Sequence, residues 1–416
     1  MSAITKAPSI FRHRDFTLFL GGMTIMSAAA MIEAVTVGWQ VYSIARETET
    51  IAQSAFLVGL VGLVQFVPMF VLTLFAGSLA DRMSRRRIVM VAVAVEALGM
   101  IGLTFTAMQD NPSLLVIFAI AATFGASRAF FRPAAWAMMP MLVPKEEVPK
   151  AISLSSLTGE LAVIGGPSVG GLLILHSTAL AFGVSALLFC AGLIAVALIG
   201  SNTTPERQPG NQLQQIREGL AYVWQNKIIF GAISLDLFAV LLGGATALLP
   251  AFASDVLEVG PTGFGLLRSA PAVGAALMAA ALTRWPLKRH AGTRMFWAVA
   301  AFGLATIVFG LSRNLWLSVL ALAVLGAADM ISVYVRQTLI QIVTPDHMRG
   351  RVASVSGLFI AGSNELGEFE SGVVSRFVGP VMAAIIGGVG TLVVTGAWAA
   401  MFPDLRRADR LDGQDG

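Results

Sequence analysis

Charged residues are scarce in this chain of 416 residues, and cysteine is almost absent. Asp, Glu, Lys and Arg make up 12% of the sequence, whereas hydrophobic residues make up 56%. A water-soluble domain needs about a quarter charged residues, so the composition excludes a set of soluble domains and indicates a protein that crosses a membrane several times. The single cysteine, Cys190, excludes a disulfide framework and a thiolate metal cluster.

Metal ligands and catalytic motifs are also lacking. The four histidines are scattered without metal-ligand spacing, so we expect no metal site and no cofactor. The sequence contains no Walker loop, so ATP is not the expected energy source, and it offers no nucleophile typical of an enzyme. The net charge is only +4 and the basic residues cluster at the ends of apolar runs, so nucleic acid is not an expected partner.

Long apolar runs separated by turn residues predict an all-α integral membrane protein with twelve spanning helices in the lipid bilayer. The first run is expected to be an uncleaved helix, because it is too long for the core of a signal peptide. The predicted helices cover residues 16–44, 54–80, 88–108, 114–140, 150–175, 178–200, 228–253, 262–284, 293–312, 315–343, 351–377 and 379–402.

The distribution of Lys and Arg predicts the orientation. The two termini and the loops that follow the even-numbered segments hold 21 of the 28 Lys and Arg residues, and the opposite loops hold only Arg46 and Arg313. Because cytoplasmic loops are enriched in Lys and Arg, both termini are expected in the cytoplasm.

The polar stretch 201–227 divides the segments into two sets of six, and it includes a predicted interfacial helix at Arg217–Trp224. A shift of 201 residues aligns Pro144 with Pro345 and Gly166 with Gly367, which indicates duplicated halves. The predicted domains are an N-terminal bundle at 1–200, a cytoplasmic linker at 201–227 and a C-terminal bundle at 228–416.

Charged side chains occur inside the predicted helices, where each costs about 2.5–3.5 kcal/mol on insertion scales and so requires a partner or a water-filled cavity. The candidate substrate and proton sites are Glu33, Arg128, Arg132, Glu160, Asp236, Asp329, Arg336, Glu365 and Glu368, and Glu96 and Glu370 are further carboxylates inside the predicted helices.

Arg128 and Arg132 are four residues apart and therefore share one face of the fourth segment. Glu33 and Glu160 are the candidate carboxylates that would balance them. The pair either contacts an anionic substrate or tunes a carboxylate, or else forms a static buried ion pair.

The eleventh segment carries Glu365, Glu368 and Glu370 among several glycines. Crowded carboxylates hold protons more readily, so this cluster is either a proton carrier or cation contact, or a structural polar cluster. The glycines predict a broken helix that lines a cavity, with Asp329 and Arg336 as neighbours.

The fifth segment contains Gly166, Pro167, Gly170 and Gly171. Small residues at this spacing leave a smooth surface on which another helix packs closely, and the proline allows a kink. A plain packing seam and a functional helix interface both fit this pattern.

The stretch Gly77–Arg87, between the second and third segments, resembles the signature loop of the major facilitator superfamily. Gly166–Gly171 resembles the Gly-Pro-x-x-Gly-Gly motif of that superfamily's antiporters, which are exporters. Thr344–Arg351 and Phe11–Phe16 resemble the bacterial branch that includes siderophore exporters and secretion effectors.

The resemblance implies two six-helix bundles around a central cavity that opens to each side in turn. It implies that Asp81, Arg82 and Arg85 gate the cytoplasmic side with Arg351, and that an arginine of the fourth segment couples proton movement to substrate. The expected function is export of a small organic molecule in exchange for protons, by a monomer in the bacterial inner membrane. The alternatives are a proton-coupled importer of an organic ion on the same fold, and a membrane receptor that transports nothing.

Overall fold

A computed structural model describes residues 10–80, 83–204, 212–287 and 289–408. All regular secondary structure in these residues is helical, so the predicted all-α fold class is confirmed. Twelve helices of the described chain are of membrane length, and α7, α9 and α15 are shorter. The helices are α1 (Arg14–Arg46), α2 (Ile51–Ala80), α3 (Arg85–Ala107), α4 (Leu114–Met138), α5 (Val148–Ile174), α6 (Thr178–Ala197), α7 (Gln212–Gln225), α8 (Lys227–Gly243), α9 (Leu249–Ala251), α10 (Gly260–Arg284), α11 (Ala291–Leu311), α12 (Leu315–Val343), α13 (Asp346–Val378), α14 (Pro380–Met401) and α15 (Pro403–Arg407).

Polar side chains set several helix starts. The carbonyl oxygen of the Asn226 side chain accepts hydrogen bonds from Ile228 N and Ile229 N at the start of α8. Asn314 caps α12 in the same way. At the start of α2, Thr50 and Gln53 bond reciprocally, with Gln53 Oε1 accepting from Thr50 N at 3.1 Å. Each cap satisfies backbone N–H groups that the first helical turn leaves without partners.

Eleven helices of the described chain are long and apolar enough to cross a membrane by themselves, and α13 is not among them. Its 33 residues include Glu365, Glu368 and Glu370, which lower its hydrophobicity. The twelfth span is therefore recognised from its length and its neighbours rather than from its composition.

The predicted broken helix in the eleventh segment is wrong, because α13 runs without interruption from Asp346 to Val378. Its glycines instead allow close helix contacts. A Cβ atom on Gly372 would lie 3.0 Å from Gly59 Cα of α2. The interruption occurs in the seventh segment, where Gly244 leaves the helical conformation after α8 and the chain continues through a π-helical turn at Phe252–Val256.

The helices group into two compact units by contact. The first contains residues 1–34, 67–166 and 176–209, and in it α3 packs on α4 and α6. The second contains residues 35–66, 167–175 and 210–416, and in it α8 packs on α13 and α14, while α11 packs on α12 and α14. These units are defined by packing and do not share the boundaries of the two halves that the sequence repeat predicts.

Candidate transport site

Three charged side chains meet inside the first unit, and we call Glu33, Glu96 and Arg128 the N-terminal triad. Arg128 Nη2 donates to Glu33 Oε1 at 2.7 Å, and Arg128 Nε lies 3.9 Å from Glu96 Oε1. Both carboxylates are buried, whereas the Arg128 side chain retains 20% of its exposure. Glu33 Oε2 and Glu96 Oε2 accept no hydrogen bond from the described part of the chain. One guanidinium therefore faces two buried carboxyl groups.

The elements that position this triad are α1, α3 and α4. Ser127, next to Arg128, donates a hydrogen bond to Ala92 O of α3 at 2.9 Å. This bond fixes the rotation of α4 against α3. Because Glu96 follows Ala92 by one helical turn, the same contact brings Glu96 toward Arg128.

A second group, the C-terminal triad, consists of Asp236 of α8 with Asp329 and Arg336 of α12. Arg336 forms an ion pair with Asp236, and it is only 2% exposed. Asp329 lies two helical turns before Arg336, on the same face of α12, and it is half-buried. This triad also sets one arginine against two carboxyl groups, but here the arginine is fully buried.

One carboxylate of α13, Glu368, pairs with a different arginine from the predicted one. Glu368 Oε1 accepts from Arg268 Nη1 of α10 at 3.4 Å, while Arg336 is paired with Asp236. Glu365 and Glu370 are half-buried. Of the expected cluster of α13 carboxylates with Asp329 and Arg336, Glu368 thus pairs with Arg268 and Arg336 pairs with Asp236.

Arg132 and Glu160, both predicted near Arg128, have exposed side chains. No ion pair within the described ranges involves Glu160, so Glu33 and Glu96, rather than Glu160, balance Arg128. One turn beyond Arg132, Trp136 is 66% exposed and lines a cleft between α1, α4 and α5 in the first unit. The cleft is lined by Phe19, Met23, Thr24, Ser27, Ala135, Trp136, Met139, Ile152, Ser155, Ser156, Thr158 and Gly159.

The glycines of α5 make close contacts in both directions. In the first unit, a Cβ atom on Gly166 would lie 2.5 Å from Met31 Cβ of α1. In the second unit, a Cβ atom on Gly171 would lie 2.5 Å from Pro261 O and 3.1 Å from Gly265 Cα of α10. Pro167 and Gly170 are buried between these contacts. No larger residue fits at Gly166 or Gly171 unless its neighbours move.

Two of the four predicted gating residues, Asp81 and Arg82, lie outside the described residues. Arg85 Nη1 donates to Ala137 O, near the end of α4, at 2.5 Å. Arg351 Nη1 lies 2.5 Å from Glu218 Oε2 of α7. In this structure the described gating arginines therefore bind a helix-end carbonyl and the linker helix.

A polar contact that the sequence did not reveal lies in the second unit. Tyr42 of α1 donates to Asp255 Oδ2 at 2.6 Å, and Arg46 Nη2 lies 3.2 Å from Asp255 Oδ1. We call these three residues the Arg46 latch. It joins the end of α1 to the π-helical turn after α8 on the side that the sequence predicts to be extracytoplasmic. One indication of this contact was present in the sequence, namely that Arg46 is one of two basic residues in the loops on that side.

Comparison with known proteins agrees with this architecture. The family model described as transmembrane secretion effector matches residues 5–414. The enterobactin exporter EntS of Shigella boydii serotype 4 (strain Sb227) is 27% identical over 385 residues, which cover 91% of each chain. The EntS of Escherichia coli O81 (strain ED1a) is 26% identical over the same length and coverage.

Two solved structures share the fold at low sequence identity. The POT family transporter PepTSo superposes with a TM-score of 0.75 at 12% identity, covering 95% of this chain and 99% of its own. A D-xylose-proton symporter superposes with a TM-score of 0.71 at 13% identity, covering 98% of this chain and 100% of its own. The chain belongs to the transmembrane secretion effector family of the major facilitator superfamily, and it is a multi-pass membrane transporter that exports a small organic molecule.

Proposed function

We propose that this transporter moves its substrate out of the bacterial cytoplasm across the inner membrane in exchange for protons. The observation that carries the proposal is the N-terminal triad, in which two buried carboxyl groups, Glu33 and Glu96, share the arginine Arg128. Such a group is electrically neutral only when one carboxyl group holds a proton.

The physical argument is the cost of burying a net charge. An uncompensated ion in a low-dielectric interior is disfavoured by several kcal/mol, so a group with one surplus carboxylate binds a proton or admits water. The N-terminal triad is suited to exchange this proton, since its arginine is partly exposed. An anionic substrate that engages Arg128 would weaken the hold of Arg128 on Glu33 and so change proton occupancy.

The cleft of the first unit is the proposed substrate entry site. Phe19, Met139 and Trp136 supply apolar and aromatic surface, Ser155 and other hydroxyl groups supply hydrogen bonds, and Arg132 supplies positive charge one turn away. This combination suits a polar or anionic aromatic compound. Because relatives that span 91% of the chain export enterobactin, an enterobactin-like siderophore is the first compound to test.

The proposed gates lie at opposite ends of the helices. Asp81, Arg82, Arg85 and Arg351 would close the cytoplasmic side, as the superfamily resemblance implies. On the other side the Arg46 latch would close the path, because it ties α1 to the chain segment that follows α8.

The same proposal includes the motion of the two bundles, the monomeric state and the position of the termini. The bundles at 1–200 and 228–416 would move against each other about the linker at 201–227, in a monomer with both termini in the cytoplasm. Gly166–Gly171 would keep the helices at the distance that this motion requires.

The test is transport by purified protein in liposomes with an imposed pH gradient and a panel of compounds that begins with enterobactin. Export in exchange for protons predicts that substrate leaves the compartment facing the cytoplasmic side as protons enter it. Glu33→Gln should abolish the response to the pH gradient while leaving substrate binding measurable, and Glu146→Gln, a change in an exposed loop, is the matched control. Substrate and protons moving in the same direction would indicate import, and binding without transport would indicate a receptor.

A further inference from the structure

A basic cleft at the start of α11 is not used by the transport mechanism. It has a volume of about 250 Å³ and is lined by His290, Thr293, Arg406, Arg407 and Ala408. It lies wholly in the second unit, where the short helix α15 meets the start of α11. We propose that this cleft binds the phosphodiester headgroup of an anionic phospholipid.

The cleft is rigidly built. Leu405 is fully buried in a hydrophobic cluster that includes Ala291 and Met295, so α15 is anchored on α11. Gly292 N donates to Ala408 O at 2.9 Å, and Thr293 Oγ1 donates to Arg406 O at 3.2 Å. The backbone that presents the two arginines is therefore fixed, while both arginine side chains are exposed.

Positive charge dominates the surroundings. The segment 284–294 contains Arg284, Lys288, Arg289 and Arg294 and no carboxylate. Asp404 is the acidic residue of α15, and it is exposed. No ion pair between described residues involves Arg406 or Arg407. A cluster of this kind at a membrane boundary attracts anionic headgroups.

The apolar surface beside the cleft indicates that the ligand is a lipid rather than a free anion. On α11, Thr293 shares one helix face with Trp297, Leu304 and Val308, and these three side chains are exposed. Trp297 is 73% exposed and lies four residues, about 6 Å along the axis, from Thr293. Exposed apolar residues on a membrane helix face acyl chains, and tryptophan marks the headgroup level.

The second wall of this surface comes from α14. Val389, Val393 and Met401 are exposed along it, and Met401 lies five residues before Arg406. A phospholipid with its phosphate between Arg406 and Thr293 would therefore have acyl chains along two apolar helix faces. A soluble phosphate compound would use only the polar end of this arrangement.

The experiment is native mass spectrometry of the full-length transporter titrated with phosphatidylglycerol, with phosphatidylcholine as the neutral comparison. We expect selective retention of phosphatidylglycerol. Since each basic residue near an anionic surface is worth roughly a fivefold change in affinity, the double variant Arg406→Gln, Arg407→Gln should bind about 25-fold more weakly. Arg406→Lys with Arg407→Lys should bind nearly as well as the natural chain.

The matched control removes two exposed arginines elsewhere, with Arg12→Gln and Arg87→Gln. Equal loss of phosphatidylglycerol from the control and from the cleft variant would overturn the proposal, because the effect would then reflect overall charge. Complete displacement of the lipid by millimolar inorganic phosphate would also overturn it, because the site would then bind soluble anions.

The residues that follow α15 in the chain are the remaining alternative occupant of the cleft. Residues 409–416, outside the described part, include Asp409, Asp412 and Asp415. Changing all three to Asn should leave phosphatidylglycerol affinity within a few-fold of the natural value. A tenfold or greater increase in phosphatidylglycerol affinity would mean that this segment naturally occupies the cleft, and it would overturn the proposal of a bound lipid.

Discussion

The two triads have the same composition and different surroundings. Each sets one arginine against two carboxyl groups, but Arg128 is partly exposed and Arg336 is fully buried. In the N-terminal triad the three charges come from three helices, whereas in the C-terminal triad Asp329 and Arg336 share α12. A site that must exchange protons and admit an ion needs access, so we propose that the N-terminal triad couples transport to protons and that the C-terminal triad holds α8 and α12 together.

The largest expected effect is loss of stability from breaking the buried pair of α8 and α12. Arg336→Met leaves Asp236 buried without a cation, which costs about 3–5 kcal/mol. The folded yield and the thermal midpoint in detergent should fall sharply. The double variant Asp236→Asn, Arg336→Met should recover much of this loss, since no charge then remains unpaired. An unchanged midpoint for the single variant would contradict the assignment of a fixing role.

Removing Arg128 should affect transport more than stability. Arg128→Gln leaves the fully buried Glu33 without its cation, but the partly exposed site of Arg128 lets a proton reach Glu33 and neutralise it, so we expect a stability loss of about 1–3 kcal/mol. Transport in liposomes should fall by more than tenfold. Arg128→Lys keeps the charge but lacks the planar guanidinium that faces both carboxyl groups, and it should retain part of the activity. A variant with full transport would remove this triad from the coupling mechanism.

Opening of the Arg46 latch should be easier after removal of one of its bonds. Tyr42→Phe removes the hydrogen bond to Asp255, and such a bond is worth about 1–3 kcal/mol because its acceptor is charged. Spin labels at Glu49 and Glu258, both near the latch, should report a broader distance distribution than in the natural chain. Thr48→Ala, an exposed change next to the latch, should leave the distribution unaltered.

The smallest expected effect concerns substrate contacts in the cleft. Trp136→Phe keeps an aromatic ring but removes the indole N–H and part of the contact area, so KM should rise a few-fold with little change in the maximal rate. Trp316→Phe changes an equally exposed tryptophan at the start of α12 and serves as the control. A shift of equal size in both variants would show that the cleft is not the substrate site.

Much of the fold could be predicted from the sequence because hydrophobicity and length determine membrane spans directly. The predicted segment 315–343 coincides with α12, and most other ends differ by three residues or fewer. Charge counting also placed Glu33 and Arg128 together correctly, since a buried arginine needs a carboxylate in the same half.

The partners that come from other helices could not be predicted. Glu160 was expected beside Arg128, but the side chain found there is Glu96 of α3. Helical periodicity gives the depth and the face of a residue but does not say which helix packs on that face. For the same reason the bond between Tyr42 and Asp255, residues separated by 213 positions, left no local signal.

The composition of α13 has a consequence for biogenesis. A segment with three carboxylates is a poor substrate for the translocon, because each charge near the centre of the bilayer opposes partition into lipid. The glycines of α13 can pack on α2 and α8, and Glu368 can pair with Arg268 of α10, only after α2, α8 and α10 have been synthesised and inserted. We expect α13 to enter the membrane late, by docking onto helices already assembled there, so that nascent chains lacking those helices leave this segment outside the bilayer.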